Sequence, residues 1–404
     1  MGWAKEMLIQ MEEDRASGYS VPKRGEKLLC EEHFDNQYLN AYIKSHGHEG
    51  ICSYCGNKGT VLDLTDFIEY IGGKLAIYLE DIDNAGLFLE SSFYDDEDEE
   101  IPGYTRHCGY ITPANVEYYD SNDEAIACFD LVPNSDALYD DISSCLHMEN
   151  KIRRNPTSLM LSEELSYLWH QFSDLVKNRQ RFTFFRSSLF DDEVYKHSDN
   201  GLSDILSELR SLVLKVEYIV PEGTILYRCR PVKESDKIEG FKDLTSPPAP
   251  NAKANRLSPT GISMFYGSFD KNTSIKEVSS YMKASMICCG TFKTTKSLSV
   301  VNLCNLPQAD FWMPSGWQEV SFMNHFHKEI SKPIGDKDNP DIEYIPSQIF
   351  TEYLRFLCKN TTGNPYDGVI YQSAQTGKQN IVLFYDQKSS AKVLCLLKSE
   401  KLSD

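Results

Sequence analysis

The chain has 404 residues, of which 41% are hydrophobic and 25% charged, with a net charge of −19. That length exceeds one ordinary core and predicts two or three domains. The apolar share excludes a wholly disordered chain, and the negative charge argues against a phosphate-backbone partner. No run reaches the ~20 apolar residues of a membrane span. The first fifteen residues have no signal-peptide core, and Glu6 stands where a myristoylation site needs Ser or Thr. The expectation is a cytoplasmic protein with neither a membrane nor a nucleic-acid partner. Cysteines in that setting are buried hydrophobes, metal ligands or nucleophiles before they are disulfides. Cys288, Cys289, Cys304, Cys358 and Cys395 lie in apolar patterns that predict core packing.

Three segments are expected, all within an α+β protein: 1–59, 60–215 and 216–404. The first holds a short helix and a cluster of cysteines and histidines. Cys30-Glu31-Glu32-His33 is followed, after an eighteen-residue spacer, by Cys52-Ser53-Tyr54-Cys55-Gly56. Each pair has the two-residue gap that lets two side chains grip one tetrahedral zinc. A small segment without much core gains most from such a staple, and Gly56 suits the tight turn after the second pair. His46 and His48 are competing ligands should His33 point away. A filled shell of four protein donors implies a structural metal.

The second segment is expected to be mainly helical. An apolar-periodic stretch over 61–79 is read as broken at Gly72-Gly73. The acidic run Asp95–Glu100 reads as a solvated loop. Helices are predicted over 136–146, 162–177 and 202–214; in the middle one Leu165, Leu168, Trp169, Phe172 and Val176 share one face. Residues 182–185 suit a short strand or a binding edge. The basic clusters at 151–154 and 179–181 read as charge flanking helices.

From residue 216 short β-branched and aromatic runs predict strands over 224–229, 263–269, 286–294, 298–303, 368–371 and 380–385. Helices fit 273–283, 318–330 and 347–359, and 243–255, with three prolines, fits an exposed loop. His325 and His327 on the second helix read as solvated or core histidines.

Three blocks in this last segment stand out: Leu226-Tyr227-Arg228-Cys229-Arg230-Pro231; Asn255 to Ile262, running on to Phe265-Tyr266-Gly267-Ser268 and Thr273-Ser274-Ile275-Lys276-Glu277-Val278; and Tyr344 to Gln348, running on to Asp367 through Ser373 and Asn380 through Phe384. Singly, Arg228 could be a structural ion-pair residue, Glu277 a helix-start acid and Ser373 a turn residue. Together and in order, the blocks resemble the RES domain, named for an Arg, a Glu and a Ser and found in bacterial toxins of toxin–antitoxin pairs.

The resemblance spans 224–385. It implies a fold like that of ADP-ribosylating toxins and destruction of NAD at its nicotinamide–ribose bond, by phosphorolysis or hydrolysis. It maps the family's Arg, Glu and Ser onto Arg228, Glu277 and Ser373, and further polar pocket positions onto Arg256 and Tyr266. Thr273-Ser274 departs from the family's usual Thr-Ala, which leaves substrate choice open.

The chemistry suits these residue types. Nicotinamide leaves as a neutral molecule from a cationic glycoside, so the barrier lies in an oxocarbenium-like ribosyl centre that a carboxylate stabilises. Arg forks suit a pyrophosphate, and Ser373 could bind phosphate or position the nucleophile. Gln348 and Asn380 are further candidates for contact with substrate; Arg230 and Tyr371 stand between pocket lining and support. The expected partners are NAD, inorganic phosphate, and an antitoxin or regulatory protein. Two alternatives stay open: ADP-ribosyl transfer to a macromolecule, and a zinc-dependent interaction protein whose nucleotide-binding domain is inactive.

Overall fold

A computed structural model describes residues 14–403 apart from 15, 86–88, 91–103, 108–109, 114–115, 155–157, 184–201, 239, 282–285 and 333–338. The acidic run 95–100 and positions 184–185 lie outside the described residues; Phe182 is exposed and belongs to no strand. By its contacts the chain divides into two units, Met1–Leu159 with Asp310–Ser315, and Met160–Ala309 with Gly316–Asp404. The helices foreseen over 162–177 and 202–214 fall in the second. Among the described residues no helix is long and apolar enough to cross a membrane.

In the first unit, β1 (Leu28–Cys30), β2 (His48–Ile51) and β3 (Lys58–Asp63) form an antiparallel sheet in the order β1–β3–β2. Helix α1 (Gln37–His46) starts at Asn36, whose side chain accepts from the Tyr38 and Leu39 amides and satisfies two orphan donors. Helix α2 (Leu64–Tyr78) starts likewise at Asp63. It buries Phe67, Ile68, Ile71 and Leu75 on one face.

Contrary to the expected break, α2 runs straight through Gly72-Gly73. A Cβ on Gly72 would lie 2.3 Å from the Tyr19 ring, so the glycine admits an aromatic ring against the helix and does not end it. Beyond α2 come β4 (Leu79–Asp81), β5 (Tyr118–Tyr119), α3 (Asn122–Cys128), α4 (Asp136–Cys145) and β6 (Lys151–Arg153), with β6 between β4 and β5. Lys151 is not the solvated charge its sequence context suggested. It is buried in β6 and ion-paired with Asp81 at 3.3 Å.

The second unit opens with α5 (Leu161–Asn178) and α6 (Leu202–Lys215), close to their expected bounds. One eight-stranded sheet follows, built from β7 (Glu217–Val220), β8 (Ile225–Pro231), β9 (Phe265–Ser268), β10 (Met286–Thr294), β11 (Leu298–Asn302), β12 (Gly368–Gln372), β13 (Gln379–Leu383) and β14 (Leu394–Ser403). Its order is β7–β11–β12–β13–β9–β8–β10–β14, antiparallel except for β11 with β12. That parallel step needs a crossover, which carries α8 (Trp317–Ser331) and α9 (Ile345–Phe356). Helix α7 (Lys271–Tyr281) leads from β9 to β10.

Both faces of the sheet centre are covered. Val369 and Val382 pack with the helices α5, α6, α8 and α9, while Ile370, Ile381 and Leu383 join Leu226, Phe265 and Phe292 on the other face. Two-sided burial explains why these strands read as continuous apolar runs. The outer strands β7 and β14 escaped the reading because β7 is only four residues long and the second half of β14 mixes in Lys398, Ser399, Glu400 and Lys401.

Three further expectations are corrected. The 243–255 segment is not wholly an exposed loop, since Leu244, Thr245 and Ser246 are buried at its start. Cys395 is exposed. Cys289 does lie in the core, but it forms a disulfide with Cys229, its direct opposite across β8 and β10 with 4.1 Å between Cα atoms.

Gly-to-Ala exchange inside a helix ordinarily stabilises by about 1 kcal/mol. Gly72→Ala is expected to do the reverse, because the Tyr19 ring must shift, and to cost about 1–3 kcal/mol in chemical denaturation. Gly73→Ala, with open space at its Cβ position, is the matched control.

Candidate active site and metal cluster

Helix α7 is anchored before it presents its carboxylate. The Asp270 side chain accepts from the Thr273 amide at 2.9 Å and its hydroxyl at 2.8 Å. The Ser274 hydroxyl accepts from the Cys229 amide of β8 at 2.9 Å. Ser274 and Glu277 lie three apart, hence on one helix face, so the bond that docks the helix also aims Glu277.

The end of β12 meets it. The Ser373 hydroxyl donates to Glu277 Oε1 at 2.5 Å, and Asn380 Nδ2 of β13 donates to the same oxygen at 2.9 Å. The Ser373 oxygen in turn accepts from the amides of Gln375 at 3.2 Å and Thr376 at 3.3 Å. A serine oxygen has two lone pairs and one proton. With both lone pairs turned to amides, the proton has one direction left, toward Glu277. Ser373 is 2% exposed and Asn380 3%, so the carboxylate is gripped on its inner side.

Arg228 is placed differently. Its Nη1 donates to the Leu244 carbonyl at 2.8 Å, and it shares a small cavity with Pro247, Asn255, Ser258 and Tyr266. Burial, with the charge of nearby Arg230, lowers its guanidinium to about 10, so it stays cationic at neutral pH. The Tyr266 hydroxyl lies 2.8 Å from Ser258 Oγ, and burial raises its pKa, keeping the phenol protonated.

Two other candidates are already engaged. Arg256 Nη1 donates to the carbonyls of Ile330 at 2.5 Å and Lys332 at 2.8 Å, closing the C-terminal end of α8, and its guanidinium sits over the Tyr344 ring. Gln348 Nε2 donates to the carbonyls of Asn255 at 2.8 Å and Ser258 at 3.3 Å. Both therefore brace the 255–258 turn that borders the Arg228 cavity. Arg230 donates to the Asp243 carbonyl at 2.5 Å. His325 is exposed; His327 is half-buried, with Nε2 3.4 Å from Gln372 Oε1 and its pKa lowered by burial.

Residues 225–402 match the family model of the RES domain, and residues 45–189 match HEPN/RES N-terminal domain 1. The chain carries a RES domain. No curated protein matches the sequence. The RES domain thus contains the Glu277–Ser373–Asn380 cluster, carried by α7 and the neighbouring strands β12 and β13, and Arg228 on β8, which β9 separates from β13.

In the first unit, Cys30, His33, Cys52 and Cys55 offer four ligand atoms that all lie within 4.8 Å of one another. Cys30 ends β1, His33 closes a single 3-10 turn (Glu31–His33), and the other two lie within the connection between β2 and β3. Gly56 there has φ +75°, the left-handed conformation the turn was expected to need. The Cys30 and Cys55 sulfurs are 3.6 Å apart, and His33 Nε2 is 3.2 Å from Cys52 Sγ. His46 and His48 take no part, and His46 stacks on Tyr42.

Asn134, which the sequence did not flag, holds the imidazole: its Oδ1 lies 2.8 Å from His33 Nδ1. A ring whose Nδ1–H is donated there presents the Nε2 lone pair to a metal. Burial alone would raise the Cys52 thiol, but the amides of Cys55 and Tyr54 and the His33 ring outweigh it and bring it down to about 6. Burial instead pushes the neighbouring Cys30 thiol up to about 12, so without a metal the thiolate lies on Cys52.

Arg256→Ala would free two carbonyls at the end of α8. The expected cost is about 1–3 kcal/mol of stability, read by denaturant unfolding. Arg256→Lys, which cannot span both carbonyls in the same way, should recover only part of it.

Proposed function

We propose that the RES domain cleaves the nicotinamide–ribose bond of NAD and that the chain acts as a bacterial toxin or defence effector. The family match supports a toxin-associated, NAD-acting enzyme, and the gripped Glu277 carboxylate supports this particular bond. A fold like that of ADP-ribosylating toxins is read from the same resemblance.

In this scheme the C–N bond between ribose C1″ and the cationic nicotinamide breaks, and its electron pair leaves with neutral nicotinamide. Positive charge then develops on the ribosyl ring. Glu277, fixed by Ser373 and Asn380, stabilises that charge without reorganising at the moment of reaction. Attack by phosphate gives ADP-ribose 1″-phosphate; attack by water gives ADP-ribose and a proton. Arg228 and Tyr266 are the candidates for the substrate's phosphates and riboside, with Arg256 and Gln348 bracing the turn beside them. Ser373 is a positioning residue, since its proton is committed to the carboxylate.

We infer that the metal of the first unit is zinc and that it is structural. Zinc–thiolate bonds of about 2.3 Å at tetrahedral angles separate two sulfurs by about 3.8 Å, close to the 3.6 Å between Cys30 and Cys55. Four protein donors leave no position for a substrate.

Purified protein incubated with NAD, with and without phosphate, is expected to release nicotinamide, chromatography of the second product separating phosphorolysis from hydrolysis. No loss of NAD by the folded protein under either condition would refute the reading. Nicotinamide release with ADP-ribose mass shifts on protein targets would instead assign ADP-ribosyl transfer. Glu277→Gln, similar in shape but neutral, should lower turnover by at least ~100-fold.

Metal analysis of the full chain should find one zinc per molecule. Asn134→Ala should weaken zinc binding by about 10–100-fold while leaving all four ligands in place; competition with a chelating dye measures it.

A further inference from the structure

The segment Asp310–Ser315 lies within the RES sequence, between β11 and α8, yet it belongs to the first unit. It is held there firmly. Trp312 is 1% exposed, and its indole N–H donates to the Phe129 carbonyl at 2.6 Å. Lys74 donates to the carbonyls of Phe311 at 2.8 Å and Met313 at 2.6 Å, and the Tyr70 hydroxyl donates to the Trp312 carbonyl at 3.2 Å. At the near end Asn36 Nδ2 donates to Asp310 Oδ2 at 2.7 Å.

Two of the segments that grip this loop run directly from the metal cluster. Asn36 lies three residues after the ligand His33. Phe129 belongs to the stretch that ends at Asn134, the residue holding the His33 ring. That stretch is tied to the ligand turn three times: Asn134 to the His33 ring at 2.8 Å, the Asn134 amide to the His33 carbonyl at 3.0 Å, and Asn134 Nδ2 to the Glu32 carbonyl at 2.8 Å. Asn36 also donates to Asp130 at 3.3 Å, joining the two walls to each other.

We propose that the metal centre is a clasp for the RES domain's own 310–315 loop: with zinc bound the two walls close on Trp312, and without zinc the loop is released. This rests on the zinc reading above and is independent of the NAD reading. It makes the loop the covalent route by which the state of the metal reaches the RES sequence. Exposed, the loop would offer Phe311 and Trp312 side by side.

Hydrogen–deuterium exchange of the full chain tests it, comparing zinc-loaded protein with protein stripped by a chelator and checked for metal content. Peptides over 310–316 are expected to exchange at least tenfold faster in the stripped protein, while α2 keeps its protection. Adding zinc back should restore the loop. Unchanged exchange over 310–316 with the metal gone would overturn the clasp and leave the zinc reading standing. Loss of α2 protection in step with the loop would also overturn it, because the metal would then staple the whole unit. Protein that binds no zinc would defeat both.

Asn134→Leu keeps all four ligands and supplies a second arm. At saturating zinc its loop should still exchange several-fold faster than wild type; wild-type protection would show that the walls are not joined through Asn134.

Discussion

A carboxylate held on one oxygen by a hydroxyl and a side-chain amide is fixed in place, and the RES half of this chain is arranged around one. Glu277 receives a hydroxyl from the end of β12 and an amide from β13, while its own helix is tied to β8 through Ser274. These elements come from chain positions about a hundred residues apart. Only the sheet order, which sets β12, β13, β9 and β8 side by side, brings them to one carboxylate. Because the Ser373 oxygen already accepts from two amides, its proton stays directed at Glu277 Oε1.

The arginines divide their labour. Arg228 keeps its charge in a partly buried setting and lines a cavity with Tyr266, so it can meet an anionic ligand. Arg256 spends donors on the end of α8 and stacks on Tyr344, which makes it a brace for the turn beside that cavity. Both carry the same fork; which one is available to a ligand depends on what lies within reach of it.

The first unit repeats this economy around a candidate metal cluster in place of a carboxylate. Cys30, His33, Cys52 and Cys55 come from two turns at the end of a three-stranded sheet. The ligand turn is continuous with Asn36 and bonded to Asn134. The same few residues thereby orient a ligand, start α1 and hold Asp310.

Local patterns were legible in the sequence. The paired two-residue spacings picked out the four residues whose ligand atoms the fold gathers, the apolar periodicity of α5 gave that helix, and continuous β-branched runs gave the buried strands. The trio Arg228, Glu277 and Ser373 came from a family resemblance in ordered blocks. What spacing could not supply was partners far along the chain. Gly72-Gly73 reads as a helix break until Tyr19 is seen against it; Lys151 reads as solvated until Asp81 is. Cys229 and Cys289 are unrelated cysteines until β8 and β10 pair. Asn134, a lone loop residue, acquires its role only when His33 is folded beside it. Asp310–Ser315 carries no local signal that it serves a different unit from its neighbours. Residue type and spacing determine what chemistry a side chain can offer, because that is set by its own atoms and nearby backbone. Which donor meets which acceptor was decided by the tertiary structure, since a hydrogen bond needs its two atoms about 3 Å apart and only the fold brings them there.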